Sequence, residues 1–296
     1  MKKIKISLGL ILATLIFTVA CTNDKEIENA EKLAVEDFLS FGKMHNDFLT
    51  NVKENFSEVE SITNENERIN FINDFNKNFI DGLDISNSEK EILSSEFDKT
   101  KTYVVEDNLI QSSFGNSIFN KSSTNKNDDE VSIFSLVDDL KNQNNINDKS
   151  YEILNSLSNS LKDNYEGNLS DEQLKLNVEN LIIEFNDFGY ENNGEGEMVG
   201  TFLAISISSL EWWEENPDAL DIFSSRNQAN KSQLIAPWLA ADLVGGLISG
   251  VTAAAGQAIV NGEVSLGTVG WSALAGAVSA STGAVGKIIK WLTPAT

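Results

Sequence analysis

Apolar side chains recur three or four residues apart along much of the chain. Phe38, Phe41, His45, Phe48, Val52, Phe56, Val59 and Ile62 fall on one stripe of a helical wheel, which predicts a long amphipathic helix. A second helix is expected from Asn64, with Glu67 three residues later, through Ile69, Ile72, Phe75, Phe79 and Leu83. Ser86 and Glu89 form a capping box for a third, since each side chain can satisfy the other residue's free backbone N–H, and this helix is expected to reach about Phe119. The polar, Asn-rich stretch from Lys121 to Glu130 has no face to bury and reads as an exposed loop. Tyr151, Leu154, Leu157 and Leu161 mark the next helix. Ser170 with Gln173 caps another that carries Leu174, Val178, Leu181, Ile182 and Phe185. Gly189, Gly194 and Gly196 then interrupt the pattern, and Met198 to Trp213 form a more apolar helix that Pro217 stops. The expected fold is all-α, a bundle of five to seven helices with no strand or repeat.

The pattern changes after residue 235. Leu243 to Gly262 contains 20 residues without a charge and Val264 to Gly286 contains 23, each above the 18 or so that make a membrane-spanning candidate. Asn261-Gly262-Glu263 between them reads as a turn. Small residues recur at every fourth position, Gly246, Gly250, Ala254 and Ala258 in the first segment and Ser272, Gly276, Ala280 and Ala284 in the second. That spacing puts the small side chains on one stripe, so two helix backbones can approach closely in a hairpin, which could enter a bilayer, stay buried under the acidic amphipathic helices, or be released from them onto a membrane. Trp238 precedes the pair and Trp291 follows it, beside Lys287 and Lys290, an arrangement of aromatic rings and cations suited to a headgroup boundary.

Charge sharpens the division. The 296 residues carry 22 Lys+Arg and 45 Asp+Glu, and 41% are hydrophobic, enough for a real core. Residues 236–296 contain only Asp242, Glu263, Lys287 and Lys290, so the acidic surplus falls on the helices before them. The expected organisation is a leader over 1–20, an acidic helical domain over 21–235 and a small-residue hairpin over 236–296. A formal charge of −23 repels phosphate backbones, and no basic cluster offsets it, so nucleic acid is not an expected partner. One histidine and one cysteine leave no His-Cys zinc site, Cys-His nucleophile pair or intrachain disulfide to build.

Lys2, Lys3 and Lys5 followed by the apolar run Leu8 to Ala20 have the anatomy of a secretory leader. The run ends Thr18-Val19-Ala20-Cys21 and resembles the signal peptide of bacterial lipoproteins, a family that favours Leu where Thr18 stands here. The resemblance implies that Cys21 becomes the acylated N-terminus, and Thr22, in place of an aspartate, implies an outer-membrane or cell-surface destination. Ordinary cleavage with Cys21 left as a thiol is the alternative. The absence of a second cysteine favours acylation, because exported chains usually carry cysteines in pairs.

Candidate chemistry is sparse. His45 lies between Phe41 and Phe48 on the apolar stripe, where a hydrogen-bonded core histidine is the first reading and catalysis or metal ligation the second. Gly42-Lys43-Met44-His45-Asn46-Asp47-Phe48-Leu49 loosely resembles a G-x-x-H-N-x-x-L segment of uncharacterised exported bacterial proteins with Gly/Ala-rich tails, a resemblance that implies no activity. Glu191 to Glu197 offers carboxylates but lacks EF-hand spacing, so a solvated turn is preferred to a calcium site. Asp128-Asp129-Glu130 reads as surface. Of Trp212 and Trp213, adjacent on a helix, one is expected inside and the other at the surface. No P-loop, nucleophile elbow or dinucleotide turn is present in the sequence.

These readings converge on a non-enzymatic, lipid-anchored envelope protein that calls for no catalytic residue, metal or cofactor. Its expected partners are the membrane, through the anchor, and a protein or a second copy, through the hairpin. Two alternatives stay open. The C-terminal pair resembles that of pore-forming bacteriocin domains and small Gly-rich bacteriocins, which implies a membrane-active effector. A hydrolase using paired carboxylates would leave no local signature.

Overall fold

In a computed structural model the residues that can be described are 32–62, 65–101, 133–191, 194–219, 239, 242, 243, 245, 246, 250 and 269–278. Among them the fold is all-α. A 3-10 turn over Val35–Phe38 leads into α1 (Leu39–Ser61), followed by α2 (Glu65–Gly82), α3 (Asn87–Lys101), α4 (Ile133–Asn142), α5 (Asp148–Tyr165), α6 (Asp171–Phe188) and α7 (Gly194–Glu215). The only extended pairing among the described residues is an isolated bridge between Lys32 and Glu191. No described helix is long and apolar enough to cross a membrane. Residues 31–296 cluster as one compact unit.

The helix starts follow their caps. Ser86 N donates to Glu89 Oε2 at 2.8 Å and Glu89 N donates to Ser86 Oγ at 3.3 Å, the reciprocal pair that opens α3. Ser170 and Gln173 do the same for α6, at 3.0 and 3.2 Å. Asn147 Oδ1 accepts from Ser150 N at the start of α5. Gly189 ends α6 in the left-handed region, φ 64°, which costs a glycine nothing sterically.

Helix α4 was not foreseen. Ile133, Phe134, Val137 and Leu140 fill its buried face, but ten residues give a helical period little room to declare itself. At the other end of the bundle the expected break at Gly194 and Gly196 is not one, because α7 starts at Gly194. Both glycines are buried, and a Cβ at Gly196 would meet Leu33 and Tyr190 at 2.9 Å, so close packing explains the residue type. Pro217 stops α7 and also opens a further helical turn over 217–219, the first-turn position where its missing N–H costs no bond.

The helices group around α7. On one side α1 lies along it, with α2 against α1 and α3 against α2; on the other lie α6 and α5, with α4 against α5. Phe48 of α1 reaches Phe75 and Phe79 of α2, ring centroids 6.0 and 5.4 Å away. The outer helices bury one face each, as in α6, where Leu174, Val178, Leu181 and Phe185 point inward. By contrast α7 is buried on every side from Gly196 to Leu210, and its exposed residues are Glu211, Glu214 and Glu215. A helix apolar all round belongs in the middle of something.

Candidate functional site

The most unusual chemistry lies where α1, α7 and the C-terminal segments meet. Helices α1 and α7 cross at small residues. A Cβ on Gly42 would stand 2.6 Å from the Ala204 carbonyl oxygen and strike the Ser208 hydroxyl, and one on Gly200 would strike the Phe38 ring. From there a polar seam follows the two helices. Asn46 Nδ2 donates to the Ser208 carbonyl at 2.7 Å, Trp212 Nε1 donates to Thr50 Oγ1 at 2.8 Å, and Lys53 Nζ donates to Asn216 Oδ1 at 3.0 Å and Asp218 Oδ1 at 2.8 Å. Partners advance together on both elements, so α1 and α7 run parallel. Lys53 holds the Asp218 carboxyl below its usual range, chiefly through that hydrogen bond.

The described tail residues sit inside this arrangement. Leu239, Asp242, Leu243 and residues 269–278 are buried. Asp242 Oδ2 lies 3.2 Å from His45 Nε2, with both side chains nearly inaccessible to solvent, so the chain's one histidine meets the one carboxylate of residues 236–262. Glu197 Oε1 accepts from the Gly270 backbone N–H at 3.0 Å. Phe41 lies over this point. Its ring packs edge-on against Trp271, centroids 5.0 Å apart, and a Cβ on Gly270 would be 2.6 Å from it. Gly246 faces the Phe202 ring and the Ala273 carbonyl, and Gly250 faces Met198, Ala273 and Val269. Both polar contacts are of the kind that buried carboxylates need, since a desolvated carboxylate without a hydrogen-bond partner is costly.

A second polar joint lies at the start of α7, beside Gly196. Tyr190 OH and Ser150 Oγ share a hydrogen bond of 2.8 Å, and Tyr190 stacks on Phe185 at 4.5 Å. Burial pushes the Tyr190 phenol up to about 12, against the pull of the Ser150 hydrogen bond. Glu195 Oε1 accepts from Asn147 N at 2.6 Å, tying the start of α7 to the start of α5.

The positions singled out in the sequence are distributed as follows. His45 is a buried, partnered core residue, and Gly42, His45, Asn46 and Leu49, the fixed letters of the weak motif, all face inward. The acidic stretch 191–197 is not a solvated turn. Glu197 is buried in α7, and Glu195 and Glu197 turn to different partners, so they do not converge on a cation. Among the described residues no group of three His, Cys, Asp or Glu could hold a metal ion. Trp212 and Trp213 are both buried, packed edge-on at 4.9 Å, because α7 has protein on the side where solvent was expected. Gly246, Gly250, Ser272 and Gly276 are buried. Cys21, Ala254, Ala258, Ala280, Ala284, Trp238, Lys287, Lys290, Trp291, the acidic run 128–130, the polar loop 121–130 and the extension of α3 towards Phe119 lie outside the described residues.

Sequence reasoning missed Asp242 and Glu197 as anchors. The signal was there for Asp242, a single carboxylate in a stretch otherwise free of charge from 236 to 262. For Glu197 no local signal exists, since its partner is a backbone N–H 73 residues away.

No protein-family model matches the chain, and neither the curated proteins nor the solved structures gave a significant match.

Proposed function

We propose that this chain is a lipid-anchored, non-enzymatic protein of the bacterial envelope, tethered through Cys21 to the outer membrane or cell surface, that acts by helix-to-helix interaction. In this reading the acidic helices form a soluble sheath for a small-residue C-terminal pair. The observation that carries the reading is the seating of residues 269–278, every one of them buried, against α1 and α7. The leader, the lone cysteine and the acidic surplus before residue 236 support the address and the division of labour.

The test is metabolic labelling with palmitate followed by detergent-phase partitioning. The parent is expected to incorporate label and enter the detergent phase, and Cys21→Ala is expected to lose the label and shift to the aqueous phase. Incorporation that survives Cys21→Ala would overturn the anchoring. A second reading, a membrane-active effector, is favoured by the two uncharged stretches Leu243 to Gly262 and Val264 to Gly286, each long enough in sequence to span a bilayer. Dye release from liposomes by the intact protein would support it, and none at any protein concentration would remove it.

A further inference from the structure

Helix α6 carries two apolar lines, and the bundle uses one of them. Leu174, Val178, Leu181 and Phe185 fill its buried face, and among the described residues α6 packs against α5, α7 and the 3-10 turn. At about 100° per residue, Leu176 and Ile183 fall opposite the centre of that face, on the outermost line of the helix. Both are 57% exposed, more than any other large apolar side chain among the described residues. Phe188, the other exposed apolar residue of α6, leans on Tyr190 and lies off this line.

A lone surface leucine is ordinary. Here the pair keeps the seven-residue spacing of a helix-pairing seam and has a charged border. Glu172 and Glu179 run along one side and Asp187 along the other, all three exposed and none in an ion pair with another described residue. The neighbouring cations are already engaged: Lys149 with Glu152 and Glu184, Lys162 with Glu166, and Lys175 with Glu214. They are the only basic residues of α5 and α6, and α7 has none. The border is therefore an unbalanced negative one, and its complement is a helix with an apolar stripe flanked by lysine or arginine. A second copy, with the same formal charge of −23, would set acid against acid, and anionic headgroups would be repelled in the same way.

We propose that the outer line of α6 is a docking surface for a basic amphipathic helix of another protein, seated on Leu176 and Ile183 and steered by Glu172, Glu179 and Asp187. This rests on the helix-interaction reading above and deepens it by naming the surface and the chemistry of the partner. From Glu172 to Asp187 the line runs about 22 Å, the length of a four-turn partner. The two apolar anchors set how long the partner stays, and the acids, being exposed, act mainly on how fast it arrives.

The full chain in nonionic detergent tests this, with a designed helical peptide of lysine and leucine, the leucines on one face, as probe. A scrambled peptide of the same composition, unable to gather its leucines on one face, is the control. The parent is expected to bind the amphipathic peptide about tenfold more tightly than the scrambled one. Leu176→Ser with Ile183→Ser should abolish that preference through faster dissociation and keep the thermal midpoint within about two degrees, because both side chains point away from the core. A larger fall would mean that they pack inside, and overturns the proposal. Glu172→Gln with Glu179→Gln should slow association more than Glu54→Gln with Glu58→Gln, which removes the same charge from an exposed part of α1. Equal affinity for the two peptides, or a preference that survives the two serines, would mean that acidity alone attracts the probe, and overturns the proposal. So would binding of Cys21→Ala protein to zwitterionic vesicles that the two serines abolish, since the patch would then be a lipid contact. Palmitate labelling separates this from the anchoring. Labelled protein that ignores the peptide overturns the docking alone, and unlabelled protein that binds it through Leu176 and Ile183 supports the docking and overturns the anchor.

Discussion

Helices α5 and α6 and the centre formed by α1, α7 and the tail are both built from helices in contact, yet they are held differently. In the α5–α6 pair the joint is local. Asn164 Nδ2 donates to the Leu169 carbonyl at 3.1 Å and to Asp171 Oδ1 at 2.8 Å, five and seven residues on, and Ser170 with Gln173 starts the next helix. Each helix buries one face; the rest is mostly polar, although α6 also leaves Leu176, Ile183 and Phe188 exposed. In the centre the fastenings span the chain. His45 reaches Asp242, Asn46 reaches Ser208, Glu197 reaches Gly270, and small residues let the backbones come together. The outer pair lies wholly within Asp148–Phe188, with Lys149 bonding Glu184 35 positions on; the centre forms only once α1, α7 and the tail are all present. Loop-closure entropy opposes such contacts, and burial of apolar surface together with polar complementarity must offset it.

The largest expected difference between the two regions comes from removing an anchor of the tail. Trp271→Ala deletes the ring that packs on Phe41 and leaves a void beside Gly270, at a cost of about 4 kcal/mol in a site that cannot collapse because Phe41 and α7 are held by other contacts. For a protein of this size that is a fall of about 10 °C in thermal midpoint. Calorimetry checks it. A fall of a degree or two would mean that the tail contributes little to the core, and the comparison would collapse.

A smaller effect is expected where the two regions join. Tyr190 sits between α6 and α7 and shares its proton-bearing oxygen with Ser150 of α5. Its phenol is raised to about 12 in the folded protein from the usual 10, so the unfolded chain ionises first. The stability due to the neutral, buried phenol is complete below pH 10 and declines as pH rises towards 12, by about 2 kcal/mol at pH 11.5. Tyr190→Phe lacks that decline, although it starts lower by about 1 kcal/mol for the lost hydrogen bond. Urea midpoints of the two proteins should therefore approach each other above pH 9, meet at about pH 10.7 and stand in reversed order at pH 11.5. A constant gap would mean that the hydroxyl is not desolvated.

The same contrast explains what was legible in the sequence. The stripes of α1, α2, α5 and α6 and the caps at Ser86 and Ser170 are recoverable because both halves of each signal lie within a few residues. Gly194 and Gly196 read as breakers because glycine weakens a helix by about 1 kcal/mol in isolation. In the fold they open α7 where Leu33, Tyr190 and Glu191 crowd the backbone, a tertiary demand that no propensity records. Trp212 and Trp213 differ from expectation for a related reason: neighbouring residues diverge on a helix, but here protein covers two sides of α7, with Trp212 bonded to Thr50 of α1 and Trp213 also buried, while Glu211, Glu214 and Glu215 face solvent. His45 could be placed in the core from its stripe, whereas its partner could not be named until the tail was seen to return to α1.

The smallest predicted effect lies at the periphery. Ser170 caps α6 by accepting from Gln173 N, and Gln173 returns a bond to Ser170 N, all at an exposed turn. Ser170→Ala leaves the Gln173 N–H to water, which solvates it well, while the Ser170 N–H keeps its bond to Gln173 Oε1, so the loss should be about 1 kcal/mol. Because α6 keeps Leu174, Val178, Leu181 and Phe185 buried, the helix should persist, with fraying confined to its first turn. Hydrogen exchange read residue by residue separates the two regions cleanly. In Ser170→Ala the amides of Gln173 and Leu174 should exchange faster while those of α1 and residues 269–278 change only by the global loss. If the tail amides accelerated as much as the cap amides, the periphery and the centre would unfold as one unit, and the distinction between local and chain-spanning fastenings would describe how the bundle is built but not how it opens.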